Sequence, residues 1–364
     1  MKKNISIWWK NTKKTNPLFK DVKEYNKYIL SLICIFILVL TGIISYNLTN
    51  TSYAKWNSSV ESNNILKLSV EEDSYALSFA KRNVGQNGLE LVTHTIDDTL
   101  QVTSDFATEY RYRGGTVNNY VTFNNETWRI IGIIPTEDTD SNIEYRFKLI
   151  RDESIGEYYW GYGTNDWTTA TLNTYLNGDY YNALSTTSQN MIGTTKYYLG
   201  GYPHSLEVTS DTMWQYERKK ENSSTICNET DDESYYDYGI IGCYFYKTNP
   251  IMQNDVSKKI ALMYTSDYGY GASSECTSNL GSYSDSKNCI TTNNWLDKSQ
   301  DEWLMAQETY RGTWASRTTS NSNVDSACIF NFSLAVRPVL TLSSSVKISS
   351  GSGTNSNPYT LSIE

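Results

Sequence analysis

The sequence predicts an α+β domain behind a single N-terminal membrane-spanning helix. Three stretches carry this prediction: an uncharged apolar run at 28–46, a hairpin pattern at 120–134 and a helical pattern at 166–177. Between and after them, short apolar runs alternate with long polar loops. We therefore expect strands, one clear helix and long loops that carry function or are held by disulfides.

The N-terminal segment is basic. Residues 1–27 contain eight lysines and two acidic residues, a net charge of +6, so the remaining residues carry −15 of the total −9. The apolar run Tyr28 to Tyr46 is long enough to cross a bilayer as a helix, which we place at 28–47. The lysine bias predicts a cytoplasmic N-terminus and an extracellular remainder. A cleaved signal peptide, with a cleavage site near Ala54, is the alternative.

The extracellular part divides by composition. Residues 48–102 are rich in Ser and Asn and are predicted to form a stalk, with a short helix at 66–81. From residue 103 to 364 clustered aromatics and strand-length apolar runs predict one folded domain. The acidic balance and the absence of a basic cluster after residue 27 argue against nucleic-acid binding.

The predicted hairpin is the expected centre of the core. Its first arm contains Val121 and Phe123, its turn is polar, and its second arm, Trp128 to Ile134, is almost entirely β-forming. Such a run suits a strand covered on both faces. We expect Val336 to Leu342 to pair with it and to bring the two ends of the domain together.

The remaining elements follow from local patterns. Asp166 or Asn165 is expected to cap the helix 166–177, and Gly178 to end it. Further strands are predicted at 146–150, 196–199, 240–246, 260–264 and 303–305.

The extracellular cysteines are predicted to form disulfides. Proximity in the sequence favours a disulfide between Cys227 and Cys243 and another between Cys276 and Cys289. Each would close a short loop and stabilise the folded state by about 3 kcal/mol. Buried free thiols are the alternative, and the state of Cys328 is open.

No catalytic motif is recognisable, so no enzymatic activity is predicted. His94 and His204 are interpreted as surface residues. Acidic residues at 231–233 and at Asp267, Asp285 and Asp297 are typical of solvated loops, although oxygen ligands on extracellular loops can also hold calcium. No other cofactor is expected.

The aromatic residues suggest a binding surface. Trp128, Trp167 and Trp295 are expected in the core. Trp160 and Tyr162, which flank Gly161, are the candidate ligand-binding residues, because flat amphipathic rings are good platforms for sugars or proteins.

Several blocks together carry a resemblance to a family: residues 110–132, 165–177, 197–202, 259–272, 293–296, 336–342 and 351–361. In these blocks the chain resembles uncharacterised bacterial surface domains with a C-type-lectin-like fold, which formylglycine-generating enzymes also use. The resemblance implies a small twisted antiparallel sheet, one or two helices, a ligand-facing loop region and paired terminal strands. Those enzymes use two neighbouring thiols near the C-terminal core, where this chain has only Cys328, so their activity is not implied. A pilin-like processing signal is also lacking.

The functional expectation is a single-pass protein of the bacterial cell membrane whose extracellular domain binds a glycan or protein ligand without catalysis. A structural subunit of a surface or pilus-like assembly is one alternative. An enzyme that acts on cell-envelope polymers is the other.

Overall fold

The computed structural model describes residues 57–60, 66–69, 73–203, 208–220, 255–277, 279–308 and 312–363. They belong to two units, Met1–Glu72 and Asp73–Glu364. In the first unit two strands pair antiparallel as a hairpin. The predicted membrane helix 28–47 lies outside the described residues, and within them no helix has the length and apolarity to cross a membrane.

The second unit combines extensive sheet with short helices, which confirms the predicted α+β class. In chain order the described strands of both units are β1 (Asn57–Val60), β2 (Leu66–Ser69), β3 (Leu89–Thr93), β4 (Thr108–Tyr112), β5 (Tyr120–Phe123), β6 (Glu126–Glu137), β7 (Ile143–Arg151), β8 (Glu157–Tyr158), β9 (Thr195–Tyr198), β10 (Asp255–Lys258), β11 (Ile260–Ala261), β12 (Glu302–Gln307), β13 (Trp314–Thr318), β14 (Val324–Cys328), β15 (Leu334–Ala335), β16 (Val339–Thr341), β17 (Val346–Ser350) and β18 (Tyr359–Ile363).

The helices are short. The described α-helices are α1 (Tyr75–Asn83), α2 (Thr171–Tyr175), α3 (Tyr181–Ala183), α4 (Thr186–Met191), α5 (Ser210–Glu217), α6 (Thr265–Gly271), α7 (Tyr283–Asp285) and α8 (Thr291–Asn293). Turns of 3₁₀-helix cover Ser104–Phe106 and Trp167–Thr169, and π-helical turns cover Leu176–Tyr180 and Ser286–Ile290.

The predicted hairpin is confirmed. Strand β5 pairs antiparallel with β6. The connecting residues Asn124 and Asn125 both have positive φ, 54° and 59°, which is the conformation of a type I′ turn and one that asparagine tolerates. Side chains from Trp128 to Thr136 are buried without interruption, as expected for a strand covered on both faces.

Strand β6 is the centre of a large sheet. Among the described residues, the main path runs β11, β16, β7, β6, β5, β18 and β17, while β4 joins β6 and β3 joins β4. Gly132 on β6 allows the close approach of β4, because a Cβ there would lie 2.3 Å from the carbonyl oxygen of Tyr110. The sheet therefore depends on a glycine at this crossing.

The two ends of the domain meet in this sheet. The expected partner of β6, residues 336–342, contributes β16, which pairs with β7 instead. The C-terminal strand β18 pairs parallel with β5. Strand β18, which is not among the predicted strands, therefore closes the domain. The predicted strand, β16, lies in the same sheet but is separated from β6 by β7.

The folded unit begins before the predicted boundary at residue 103. Helix α1 packs Ala76, Phe79 and Ala80 into the core, and β3 pairs with β4 along its whole length. Residues 73–102, which we expected in the stalk, are therefore part of the folded unit. The predicted helix 66–81 is corrected to a strand, β2, followed by α1.

A second sheet has the order β14, β13, β12, β15 and β8. The predicted strands 146–150, 196–199 and 303–305 correspond to β7, β9 and β12, whereas 260–264 is strand only at β11. The predicted strand 240–246 lies outside the described residues.

The predicted helix at 166–177 is present, but it does not end at Gly178. Asp166 caps the first turn, with its Oδ1 accepting from the Thr168 amide at 2.9 Å. Ala170, with ψ of 134°, interrupts the predicted helix after this turn, and the helix starts again at Thr171 and continues through a π-helical turn to Ala183. An isolated glycine on a half-buried helix weakens the helix without being forced to end it.

The Cys276–Cys289 disulfide is confirmed. Cys328, whose state was open, is also disulfide-bonded. The predicted pairing of Cys227 with Cys243 falls outside the described residues.

Candidate functional site

The aromatic run between β8 and α2 divides between surface and core. Tyr162 is 67% exposed and Tyr159 is 43% exposed, and their ring centroids lie 6.2 Å apart. Trp160, the other candidate ligand-binding residue, is 0% exposed and packs on Trp167 and Trp303, so its side chain does not reach the surface. We call Tyr159 and Tyr162 the tyrosine surface.

The backbone between the two tyrosines lies close against α2. A Cβ at Gly161 would lie 3.3 Å from the Cα of Ala170, so a side chain there would push the loop outward. The Trp160 carbonyl accepts from the Leu172 amide at 3.1 Å, and the Gly161 amide donates to the Ile329 carbonyl at 3.4 Å. The inward turn of Trp160 is thus held by backbone contacts on both sides.

Hydrogen bonds to the second sheet and the residue after β12 hold both ends of this loop. The Asn165 amide group donates to the carbonyls of Glu308 and Trp314, at 2.9 Å and 2.7 Å. The Trp303 indole donates to the Tyr158 carbonyl at 2.8 Å. A loop held at both ends loses little conformational entropy when it binds a ligand.

A second pair of tyrosines begins next to Tyr159 in the chain. The rings of Tyr158 and Tyr175 stack with centroids 4.9 Å apart, and their hydroxyl groups hydrogen-bond at 3.1 Å. This hydrogen bond and partial burial raise the pKa of Tyr175 to about 12. The Tyr175 hydroxyl therefore stays neutral at physiological pH and adds polarity without charge.

His94 is buried, which corrects its interpretation as a surface residue. Its ring stacks on Trp214 at 3.8 Å, and its Nε2 lies 3.2 Å from Glu109 Oε2. Its Nδ1 lies 3.6 Å from Asp211 Oδ1. The reason is that β3, which precedes His94, belongs to the sheet; His204 lies outside the described residues.

A group of four buried charges was missed in the sequence. Arg111 contacts Glu109 at 2.5 Å and Asp267 at 2.8 Å, and Lys148 contacts Asp267 at 2.5 Å. We call these four side chains, which carry two charges of each sign, the buried charge network. Burial alone would raise the pKa of Asp267, but Lys148 and Arg111 hold it below its usual range. The available signal was a single lysine at 148 within an apolar strand.

The acidic residues considered as calcium ligands do not come together in the described part of the chain. Asp267 is buried among cations, and Asp297 accepts from the hydroxyl of Ser322 at 2.6 Å. Within the described ranges, no group of three or more His, Cys, Asp or Glu residues could hold a metal ion. The acidic run 231–233 lies outside these ranges, so the choice between a solvated loop and a calcium site there is not tested.

Glu217, the last residue of α5, is a further buried carboxylate. The backbone amide and the hydroxyl of Ser266 donate to its two oxygens at 2.9 Å and 2.5 Å. Arg218 Nη1 lies 3.4 Å from it. Burial raises the pKa of Glu217 to about 7 despite these contacts.

This raised pKa predicts a pH dependence of stability. The folded state keeps the Glu217 proton that the unfolded chain releases above its ordinary pKa of 4.5. Stability from this group is therefore complete below pH 4.5 and falls, by up to about 3 kcal/mol, as the pH rises to 7. Denaturant unfolding at pH 5 and pH 8 should show this fall in the wild type and a smaller fall in Glu217→Gln. A fall in stability of the same size in both proteins would show that Glu217 does not cause this pH dependence.

A small cavity lies beside the buried charge network. Its volume is about 30 Å³, and its walls include Lys148, Arg218 and Tyr264. Such a volume holds about two water molecules and no sugar ring. The ion pair between Lys196 and Glu137, at 3.1 Å, also lies in its wall. This cavity is therefore not a binding site for a sugar ring.

Comparison with known proteins finds nothing similar. No family model matches the chain, and neither a curated protein nor a solved structure matches it.

Proposed function

We propose that the protein is a membrane-anchored recognition module of the bacterial cell surface, which binds a glycan or protein ligand through the tyrosine surface without catalysis. One observation carries this proposal: Tyr159 and Tyr162 are exposed on a loop whose ends and centre are held by buried groups. Tyrosines offer apolar area and a hydrogen-bonding hydroxyl at low entropic cost, which suits sugars and protein surfaces.

The fold of this module is, in our proposal, C-type-lectin-like. The C-terminal strand β18 lies in the same sheet as the first strands of the unit, and a second sheet is separate, which supports this assignment. The large sheet differs from the resemblance in having nine strands and in the parallel pairing of β18 with β5. The loop that carries the tyrosine surface would belong to the ligand-facing region that the resemblance implies. Residues 28–47 would anchor the module, with the N-terminus in the cytoplasm and residues 73–364 outside.

An enzyme acting on envelope polymers has less support. The carboxylates best placed to act as acid or base are Glu109, Glu217 and Asp267, and all three are buried. A polymer cannot contact them without opening the domain. The adjoining cavity of about 30 Å³ is also too small for a substrate.

A structural subunit of a surface assembly is the second candidate. Within the described residues, β3 pairs only with β4, and Leu91 on β3 is 52% exposed. A strand with an unpaired edge and an exposed apolar side chain can add a strand from another chain. Self-association of the purified protein that is lost in Leu91→Lys would favour this candidate.

The test of recognition is ligand binding by matched variants. The full chain, purified in detergent, would be applied to glycan and matrix-protein panels, with calcium and with a chelator. We expect saturable binding that weakens by about thirtyfold or more in Tyr159→Ala/Tyr162→Ala, since central tyrosines contribute about 2 kcal/mol or more. Sensitivity to the chelator would indicate calcium.

The control is Tyr283→Ala, because Tyr283 is 52% exposed and lies outside the tyrosine surface. It should bind like the wild type. Binding that is equally strong in the double variant and in the wild type would exclude the tyrosine surface as the site. Failure of the folded wild type to bind any panel member would favour the structural subunit.

A further inference from the structure

The contact between Lys148 and Asp267 joins two distant parts of the chain. Lys148 lies on strand β7, next to the central strand β6, and Asp267 lies in the first turn of α6, with Lys148 Nζ 2.5 Å from Asp267 Oδ2. Both side chains are buried, so bulk solvent screens the contact little. We propose that these residues form an intramolecular isopeptide bond, a covalent crosslink between β7 and α6. This proposal is independent of the ligand-binding function.

The reaction needs no other reactant. The Lys148 Nζ attacks the Asp267 Cγ, so the Nζ–Cγ bond forms and the Cγ–Oδ2 bond breaks. Starting from an ammonium and a carboxylate, Oδ2 leaves as water with two of the three ammonium hydrogens. The third hydrogen remains on the amide nitrogen. No group is oxidised or reduced.

The surroundings favour each part of this step. Arg111 donates to Asp267 Oδ1 at 2.8 Å, where negative charge develops when the amine attacks. The Tyr264 amide donates to Oδ2, the leaving oxygen, at 2.9 Å. Burial lowers the pKa of Lys148, which favours the neutral amine that attacks.

One feature opposes the reaction and makes it slow. Lys148 and Arg111 hold the pKa of Asp267 low, and an ionised carboxylate is a poor electrophile. The proton must therefore pass from the ammonium to the carboxylate before attack. Direct contact at 2.5 Å gives the shortest path for this transfer.

The buried charge network stays neutral when the charges of Lys148 and Asp267 are both lost. An amide at 148 and 267 removes one positive and one negative buried charge. Arg111 and Glu109 remain paired at 2.5 Å, so no buried charge is left without a partner. Replacing a buried ion pair by a neutral group removes a large desolvation penalty. The crosslink therefore lowers the electrostatic penalty of the core without unbalancing it.

The test is mass spectrometry of the purified full chain after unfolding, reduction and alkylation. We expect the mass to be lower than that of the sequence by one water molecule. Because trypsin does not cleave after an acylated lysine, the digest should contain a branched peptide that joins the segments around Lys148 and Asp267. Linear peptides that end at Lys148, at full mass, would overturn the proposal.

Two controls separate the crosslink from other losses of water. A cyclic imide at Asp267 also loses one water but leaves Lys148 open to trypsin, so that result would overturn the proposal as well. Lys148→Met and Asp267→Ala should lack the branched peptide. Lys196→Met should retain it, because the ion pair of Lys196 with Glu137 is partly exposed and does not react. The wild-type digest decides the question even if the variants at 148 and 267 do not fold.

Discussion

Replacing Trp128 with alanine should lower the free energy of unfolding by about 3–5 kcal/mol, which is enough to leave much of the protein unfolded. Trp128 lies on β6, is fully buried and packs edge-on against Phe123 with ring centroids 5.3 Å apart. Its removal leaves a large cavity between β5 and β6, where the surrounding strands cannot collapse. Urea unfolding monitored by circular dichroism measures the change.

Trp128→Phe and Tyr162→Ala are the controls for this prediction. The phenylalanine keeps an aromatic ring in the same place, so it should be less destabilising than alanine. Tyr162 is exposed, and its replacement should change stability by less than about 0.5 kcal/mol. A Trp128→Ala protein as stable as the wild type would show that β6 is not the centre of the core.

Removing Arg337 should have an effect of similar size for an electrostatic reason. Its guanidinium contacts both carboxylate oxygens of Glu302, with Nε at 2.8 Å and 2.9 Å, and donates to the Leu296 carbonyl at 2.7 Å. Both side chains are buried. Arg337→Met leaves the Glu302 charge without its partner, so we expect a loss of about 3–5 kcal/mol in chemical unfolding.

A double variant distinguishes the loss of the attraction between Arg337 and Glu302 from the cost of burying Glu302 without a partner. Arg337→Met/Glu302→Leu removes both charges and should be more stable than Arg337→Met alone, because no unpaired carboxylate is buried. Lys81→Met is the control for an exposed pair: Lys81 and Asp73 are both partly exposed, and its loss should be within about 1 kcal/mol. If Arg337→Met and Lys81→Met were equally mild, the buried pair would have no special role.

The parts of the fold that were predicted correctly depend on neighbours in the chain. The hairpin of β5 and β6 follows from alternating apolar residues and from Asn124 and Asn125, which accept the turn conformation. The Asp166 cap and the burial of Trp167 follow from equally local patterns. Cys276 and Cys289 were paired because they lie close in sequence.

The candidate site was predicted only in part, because exposure depends on the whole fold. Trp160 and Tyr162 both lie next to Gly161 in the sequence. Trp160 is buried because its indole packs on Trp303 of the second sheet, whereas Tyr162 is exposed. The domain boundary failed for a related reason. Residues 73–102 have a polar composition, yet β3 finds its partner β4 and α1 finds an apolar surface on the sheet.

The sequence by itself determined the α+β class, the central hairpin and one disulfide, because each depends on residues that are close along the chain. Only the tertiary structure decided which side chains are exposed and which charges meet. The buried charge network joins residues of two strands and a helix, and no local sequence pattern predicts these contacts. Burial and charge pairing are properties of packing: the sequence around Asp267 is typical of a solvated loop, whereas in the folded protein Asp267 is buried and pairs with Lys148.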